Sequence, residues 1–143
     1  FPMGVDAMME SLDLVKAGVI LKHKQDLAAG SYESWFKKEL AELDWSKPIA
    51  EVYNVIRAAN PAPGAWTTLK GVKLDIYDAA RISGAGRPGE VIAISDDGIT
   101  IAGSGGAILA KRVKAPDTRK IGAAEWATSV GLAVGDVCAP PQP

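Results

Sequence analysis

The chain has 143 residues, of which 48% are hydrophobic, so it can fold as one domain or as one domain with an appendage. Its 16 lysines and arginines against 17 acidic residues give a net charge of −1, which argues against a globally basic nucleic-acid-binding protein. The single cysteine, Cys138, excludes an intrachain disulfide and a cysteine-based metal cluster. No run approaches the ~20 apolar residues of a membrane span, and no signal-peptide pattern is visible, so a reducing cytoplasm is the expected location.

The N-terminal segment predicts an amphipathic helix. Charged residues stand between apolar residues that recur at helical spacing, namely Val5, Met8, Met9, Leu12, Val15 and Val19. Gly18 is expected to end this helix, because glycine tolerates the left-handed conformation that closes many helices. Residues 20–31 show no clear period and are interpreted as a linker. His23, the only histidine, has no partner at metal-ligand spacing and is expected to be a solvated linker residue.

Two further segments show helical spacing. Residues 32–45 allow a helix through Phe36, Leu40 and Leu43. A second helix follows, with one apolar face formed by Ile49, Val52, Tyr53 and Ile56. Asp44 or Ser46 is its expected N-cap, and Pro48 fits its first turn.

The stretch after this helix is a rigid corner with the sequence Asn60-Pro61-Ala62-Pro63-Gly64-Ala65-Trp66-Thr67-Thr68. Pro61 cannot continue a helix, and it disfavours the α conformation of Asn60. Pro63 fixes another φ, and Gly64 tolerates dihedrals that a larger residue does not. The corner therefore separates a helical part of the chain from a β part.

Arg57, just before the corner, has two interpretations. A cation near the C-terminal end of a helix is favoured by the helix dipole, which gives the arginine a purely structural role. Alternatively, its guanidinium contacts a catalytic domain or a phosphate group.

After the corner the hydrophobic period changes from 3.6 to 2, which predicts strands. Turn residues separate five short strands at residues 65–69, 72–77, 90–94, 99–102 and 107–113, a pattern typical of a small barrel. Residues 123–130 predict a short helix that Gly131 ends, and residues 132–137 predict a final strand or cap.

Two glycine-rich loops, residues 84–89 and 103–106, are weighed as phosphate-binding loops. Such a loop needs a strand before it and a helix N-terminus after it, so that backbone N–H groups point at the phosphate. Predicted strands flank both loops on each side. We therefore interpret them as connections between strands.

A cluster of basic residues surrounds the end of the last long strand: Lys111, Arg112, Lys114, Arg119 and Lys120. A solvated strand edge that discourages pairing with another sheet is one interpretation. The other is an electrostatic patch for RNA phosphates.

Several sequence blocks resemble the C-terminal domain of the folate-dependent formyltransferase family. They are Leu43-Asp44-Trp45-Ser46-Lys47-Pro48, Ile56-Arg57-Ala58-Ala59-Asn60-Pro61-Ala62-Pro63-Gly64-Ala65-Trp66-Thr67, Pro88-Gly89-Glu90-Val91 and Ile121-Gly122-Ala123-Ala124-Glu125-Trp126. The resemblance runs from about residue 1 to about residue 137. It implies an extended segment around residues 41–45, so a helix and an extended conformation both remain open for residues 32–45.

The resemblance also implies an upstream Rossmann-like catalytic domain, in which an Asn, a His and an Asp transfer the formyl group of formyl-tetrahydrofolate. None of those motifs occurs in this chain, so we assign it no catalytic, cofactor-binding or metal-binding residue. The corner is then expected to meet the catalytic domain through Arg57, Asn60, Pro63, Gly64, Trp66 and Thr67. The basic cluster is expected to contact tRNA or another formyl acceptor.

The expected fold is mostly β with a helical N-terminal segment, a small OB-like β-barrel preceded by two helices and a linker. Residues 1–19 are expected to be the last helix of the absent catalytic domain, and residues 20–60 the linker and connecting helix. Residues 61–137 are expected to form the barrel. The proline-rich residues 138–143 are expected to be a disordered tail.

The resemblance implies a domain that positions the acceptor substrate and supports the catalytic domain of a methionyl-tRNA formyltransferase-like enzyme. The C-terminal part of a formyl-tetrahydrofolate hydrolase or dehydrogenase is an alternative. Tyr53-Asn54 and Trp66 are closer to the dehydrogenase type, whereas Asn60-Pro61 is closer to the tRNA enzymes. A stand-alone RNA-binding module without enzyme activity is the alternative of another class, although the near-neutral charge weighs against strong independent RNA binding.

Overall fold

The computed structural model describes residues 1–19, 22–32 and 34–140. They belong to two compact units, Phe1–Ser34 and Trp35–Pro143. Residues 20 and 21 of the predicted linker, Glu33, and residues 141–143 of the predicted tail lie outside the described residues.

The first unit contains helix α1, Pro2–Lys16, in which no residue is buried. Its C-terminal end is closed at Gly18, whose φ is +74°. The N–H of Gly18 donates to the carbonyl of Val15 (3.0 Å), and that of Val19 donates to Leu14 (2.9 Å). Glycine therefore ends this helix as the sequence predicts.

The second unit begins with a 3₁₀ turn, Lys38–Ala41, and helix α2, Ile49–Ala59. Strands follow at β1 Ala65–Leu69, β2 Val72–Ile82, β3 Val91–Ser95, β4 Gly98–Gly103, β5 Gly106–Lys114 and β6 Ile121–Gly122, and helix α3 is Ala123–Ser129. All paired strands are antiparallel, in the order β1-β2-β5-β4-β3, with β6 paired to β5. The predicted class, mostly β with a helical N-terminal segment, is confirmed.

The sheet is open, and its edge strands β1 and β3 are bridged by the segment after α3. Val91 exchanges hydrogen bonds with Gly135 and Asp136 (2.8 Å each), and the N–H of Cys138 donates to the carbonyl of Gly89 (2.9 Å). The N–H of Ala139 donates to Thr68 of β1 (2.8 Å). This segment therefore links the two edges of the open sheet, and the expected closed barrel is instead an open sheet.

The structure differs from the expected disordered tail at its first residues. Cys138 is only 5% exposed, and burial raises the pKa of its thiol to about 11. Its Cβ lies close to Gly89, beside the indole of Trp45. The tail is rich in proline, so its composition predicted disorder and gave no indication of the contact of Cys138 with Gly89 and Trp45.

The lead-in to α2 answers the open question about residues 32–45 for residues 38–45. After the single 3₁₀ turn the chain is extended, and the N–H of Leu43 donates to the carbonyl of Trp66 in β1 (2.8 Å). The indole N–H of Trp45 donates to the hydroxyl of Thr67 (3.0 Å) in the interior. This segment therefore packs along β1 as an additional extended stretch.

The buried face of α2 contains Ile49, Val52 and Ile56, as its spacing predicts. The predicted N-cap was wrong: the cap residue is Pro48, and no side chain caps the helix. Asp44 instead accepts hydrogen bonds from the hydroxyl (2.6 Å) and the N–H (3.0 Å) of Ser46, and the bond from the hydroxyl is the main cause that lowers the pKa of Asp44. The two residues shape the turn before the helix.

The two glycine-rich loops connect strands, as expected. Residues 84–89 lie between β2 and β3, and residues 103–106 form the turn between β4 and β5. No helix in the described part of the chain is long and apolar enough to cross a membrane.

Candidate nucleic-acid interface

One hydrogen bond ties the corner between α2 and β1 back to α2, and another ties it to β2. The N–H of Gly64 donates to the carbonyl of Ala59 (2.8 Å), and the side-chain amide of Asn60 donates to the carbonyl of Tyr77 (3.1 Å). Gly64 has a φ of +85°, and a Cβ at this position would lie 3.0 Å from the Tyr77 hydroxyl. Glycine is therefore favoured here by the backbone conformation, and a larger residue would also displace the Tyr77 hydroxyl.

Lys38 fastens this corner to the sheet. Its ammonium donates to the carbonyls of Pro63 (3.0 Å) and Gly64 (3.1 Å) and to the carboxylate of Asp75 (2.6 Å). An ammonium has three N–H donors, so its hydrogen-bonding capacity is fully used. The carbonyl of Lys38 also accepts from the indole N–H of Trp66 (2.9 Å).

Next to the corner, three strands place one row of side chains on the outer face of the sheet. Asp75 of β2 is in register with Trp66 of β1 on one side and with Lys114 of β5 on the other. A cleft of about 200 Å³ opens here, and it is lined by Lys38, Lys73, Asp75, Lys114, Ala115 and Pro116.

Two lysines of this surface, Lys73 and Lys120, lie over aromatic rings. The ammonium of Lys73 is 3.7 Å from the centroid of the Trp66 ring, and that of Lys120 is 3.6 Å from the Tyr77 ring. Such cation–π contacts fix the positions of the two charges while leaving the ammonium groups accessible. We call this surface the basic face; it consists of Lys38, Trp66, Lys73, Asp75, Tyr77, Lys114 and Lys120.

The basic face concentrates positive charge on a chain whose net charge is −1. Four lysines and one aspartate give it a formal charge of +3. Asp75 is paired with Lys38, and no carboxylate among the described residues forms an ion pair with Lys73, Lys114 or Lys120. Such a patch attracts phosphate groups even on a protein that is acidic overall.

The Tyr77 phenol is a neutral member of the basic face. Partial burial, followed by the nearby charge of Asp75, raises the pKa of Tyr77. Its hydroxyl lies 3.4 Å from the Asp75 carboxylate and donates to it. Tyr77 therefore links the corner, the aspartate and Lys120 without adding negative charge.

The structure brings the predicted corner and part of the predicted basic cluster together. Lys114 and Lys120 lie on the basic face, beside Trp66 and Tyr77. Arg112 is in register with Asp78 and Gly122, and its guanidinium donates to the carbonyl of Lys120 (3.4 Å). Lys111 and Arg119 are exposed on β5 and on the loop that follows it.

The predicted corner residues have different environments. Thr67 is 1% exposed and Gly64 is buried, so neither presents a contact surface to another domain. Asn60 is exposed, whereas Pro63 and Trp66 are half-buried. Arg57 is exposed and lines a different cleft, between α2 and β2.

Sequence reasoning missed Lys38, Lys73, Asp75 and Tyr77 as members of this surface. The last three alternate along the predicted strand, so their position on one polar face was readable from the sequence. Lys38 lies in the segment whose conformation was undecided. Nothing in its local sequence indicates three acceptors that lie 25 to 37 residues away.

Comparison with known proteins identifies the class of this domain. The profile of the family described as "Formyl transferase, C-terminal domain" matches residues 36–131, about two thirds of the chain. The chain belongs to this family, which confirms the resemblance noted from the corner and its flanking blocks.

Among relatives, methionyl-tRNA formyltransferase of Geotalea daltonii is 34% identical over 133 residues, which are 93% of this chain and 43% of the relative. The enzymes of the same name from Geotalea uraniireducens and Streptococcus pneumoniae are also 34% identical, over 135 and 136 residues, 94% of this chain and 43% and 44% of each relative. The chain thus spans less than half the length of these curated relatives.

Solved structures show the same fold. A variant of HypX from Aquifex aeolicus matches with a TM-score of 0.68 at 22% identity, covering 91% of this chain and 24% of that chain. HypX in complex with tetrahydrofolic acid matches with a TM-score of 0.64, also at 22% identity, over 91% of this chain and 23% of that one. At this identity the similarity supports a common fold.

Proposed function

We propose that this chain is the C-terminal part of a formyl-tetrahydrofolate-dependent methionyl-tRNA formyltransferase, in which it positions the acceptor tRNA and supports an upstream catalytic domain. The observation that carries the proposal is the basic face, where three lysines without a carboxylate partner among the described residues stand beside the family's corner. Lysine ammonium groups neutralise RNA phosphates, and this contact holds RNA without reading its sequence. The proposal places the protein in the cytoplasm.

In this proposal Lys73, Lys114 and Lys120 contact phosphates directly. Lys38 does not, because its three donors are already bound within the chain. Its role is to hold the corner and Asp75 in place beneath the accessible lysines. Lys111, Arg112 and Arg119 extend the contact along β5 and the following loop.

We assign the chemical step and formyl-tetrahydrofolate to the upstream domain. The residues of this chain do not fit that chemistry, because His23 is the only histidine and it is exposed. In the described ranges, no three His, Cys, Asp or Glu side chains converge in a group that could hold a metal ion. We therefore assign no catalytic step to the residues of this chain.

The purified chain of 143 residues is expected to show neither formyl transfer to methionyl-tRNA nor hydrolysis of formyl-tetrahydrofolate, because the Asn, His and Asp motifs of the family are absent from its sequence and its one histidine, His23, is exposed. The protein with its upstream sequence is expected to formylate methionyl-tRNA. Both are measured by product formation from formyl-tetrahydrofolate. Hydrolysis without formylation by the longer protein would indicate the hydrolase alternative, and turnover by the short chain, abolished by a substitution within it, would contradict the assignment.

We also propose that α1 packs on the upstream domain. Met8, Leu12 and Val15 are 61%, 45% and 57% exposed, and the other members of the predicted stripe are exposed as well. Burying a side chain of this kind contributes roughly 1.5–3 kcal/mol. The free energy gained by burying six such side chains is comparable to the ~5–15 kcal/mol stability of a domain. We therefore expect another part of the intact protein to bury them.

Hydrogen exchange tests this packing. The amides of Met8 to Val15 are expected to exchange much more slowly in the longer protein than in the 143-residue chain, because packing adds to the free energy of local opening. The amides of β5 provide the control and should differ little between the two proteins. Equal exchange of α1 in both proteins would show that the upstream domain does not cover it.

A further inference from the structure

A second cleft of the domain Trp35–Pro143 lies between α2 and β2. Its volume is about 480 Å³, and it is lined by Ala50, Tyr53, Asn54, Arg57, Ala80 and Arg81. This volume falls within the ~300–1,000 Å³ typical of ligand pockets. The two alanines leave room between the larger side chains, so the cleft is open to a small polar group.

The polar lining of this cleft consists mainly of hydrogen-bond donors. An arginine guanidinium has only donors, and a side-chain amide adds two more. No carboxylate among the described residues forms an ion pair with Arg57 or Arg81, whereas Arg87 is paired with Glu90. The guanidinium of Arg57 lies 5.8 Å from the centroid of the Tyr53 ring, a contact that restrains it beside the cleft.

The charge of the lining favours a dianion. Two guanidiniums carry +2, which matches the −1.5 to −2 of a phosphate monoester near pH 7. Both arginines are exposed, so the difference is one of attraction: a carboxylate or an internal RNA phosphodiester carries one negative charge and is attracted less strongly than a dianion. Arg57 lies in the last turn of α2, where the helix dipole is negative, but that charge is only about half a unit.

We infer that the cleft formed by Tyr53, Asn54, Arg57 and Arg81 binds a phosphate monoester. The arginines bind its oxygens, in the paired geometry that guanidiniums form with phosphate, and the Asn54 amide donates to another oxygen. The ligand is either the 5′-terminal phosphate of an RNA or a small phosphorylated molecule. The site is separate from the basic face, and phosphate binding by it does not depend on the proposed formyl-transfer function.

Titration with inorganic phosphate tests the site, with the side-chain N–H resonances of Asn54, Arg57 and Arg81 followed by NMR. We expect saturable shifts with phosphate and none with potassium chloride at equal ionic strength. Arg57→Lys and Arg81→Lys should each weaken phosphate binding by about fivefold or more, because lysine cannot form the two-point contact. Arg87→Lys is the matched control, since that guanidinium is already paired, and it should bind phosphate as the unmodified protein does.

A pair of otherwise identical RNA hairpins, one with a 5′-phosphate and one with a 5′-hydroxyl, identifies the source of the phosphate. A preference of about threefold or more for the 5′-phosphate, lost in Arg57→Lys, supports the site with an RNA terminus as ligand. Saturable phosphate binding with equal affinity for both hairpins supports the site with a small phosphorylated ligand. Shifts that chloride reproduces, or phosphate affinity unchanged in both lysine variants, would overturn the inference.

Discussion

Replacing Lys38 with methionine is expected to lower the free energy of unfolding by about 2–3 kcal/mol. The substitution removes the cation from Asp75, whose side chain is only 18% exposed, and the donor from the carbonyls of Pro63 and Gly64. Loss of a fully buried partner would cost more, but the Lys38 side chain is 32% exposed and water offsets part of the loss. Urea unfolding of the 143-residue chain, followed by tryptophan fluorescence, measures the change.

Two further variants separate this contact from a general effect of losing a lysine. Lys70→Met removes the more exposed Lys70–Asp136 pair (3.6 Å), and it should cost no more than about 1 kcal/mol. Adding Asp75→Asn to Lys38→Met should restore about 1 kcal/mol or more, because no uncompensated carboxylate then remains. A Lys38→Met protein as stable as the unmodified chain would mean that the hydrogen bonds of Lys38 do not stabilise the corner.

The corner and α2 were predictable because their causes are local. Proline lacks an N–H, Gly64 provides a positive φ, and the spacing of Ile49, Val52 and Ile56 places them on one face of a helix. These features depend on residues within one or two turns of each other. The sequence therefore indicated both the position of the corner and the buried face of the helix before it.

The lead-in segment and the closing segment were harder to predict because distant contacts decide their conformation. Leu43 is extended because its N–H pairs with Trp66, although its spacing from Phe36 and Leu40 also allows a helix. Cys138 is ordered because it meets Gly89, about fifty positions earlier. Neither contact can be predicted from the local sequence. In both segments a contact with a distant part of the chain overrides the local preference for helix or disorder.

For the basic face, too, the local features were predictable and the contacts between distant residues were not. The presence of a basic cluster and of an aromatic corner was readable, but their proximity was not. Lys120 and Tyr77 meet only because β5 lies next to β2, so that the chain following β5 returns toward the corner. The site is thus a product of strand order, which periodicity alone does not determine.

Replacing both Lys114 and Lys120 with alanine in the intact protein is expected to weaken tRNA binding by up to about 60-fold at 0.1 M salt. Each lysine that neutralises a phosphate contributes about 0.9 to the slope of log affinity against log salt, so the slope should fall by about 2. In the formylation reaction the same variant should raise KM for tRNA with little change in kcat, since these lysines bind the acceptor in the ground state and the transition state alike. Binding isotherms over a range of salt concentrations, together with steady-state kinetics, measure both effects.

The matched control is the double variant Lys47→Ala with Arg87→Ala. It also removes two positive charges, but at exposed positions outside the basic face. A general loss of positive charge would lower the affinity of both double variants equally, whereas specific phosphate contacts lower it mainly in the Lys114 and Lys120 variant. Alanine at Lys111 and Arg112 then measures how far the contact extends along β5. Unchanged affinity and salt slope in the Lys114 and Lys120 variant would leave these residues as solvated cations at a strand edge.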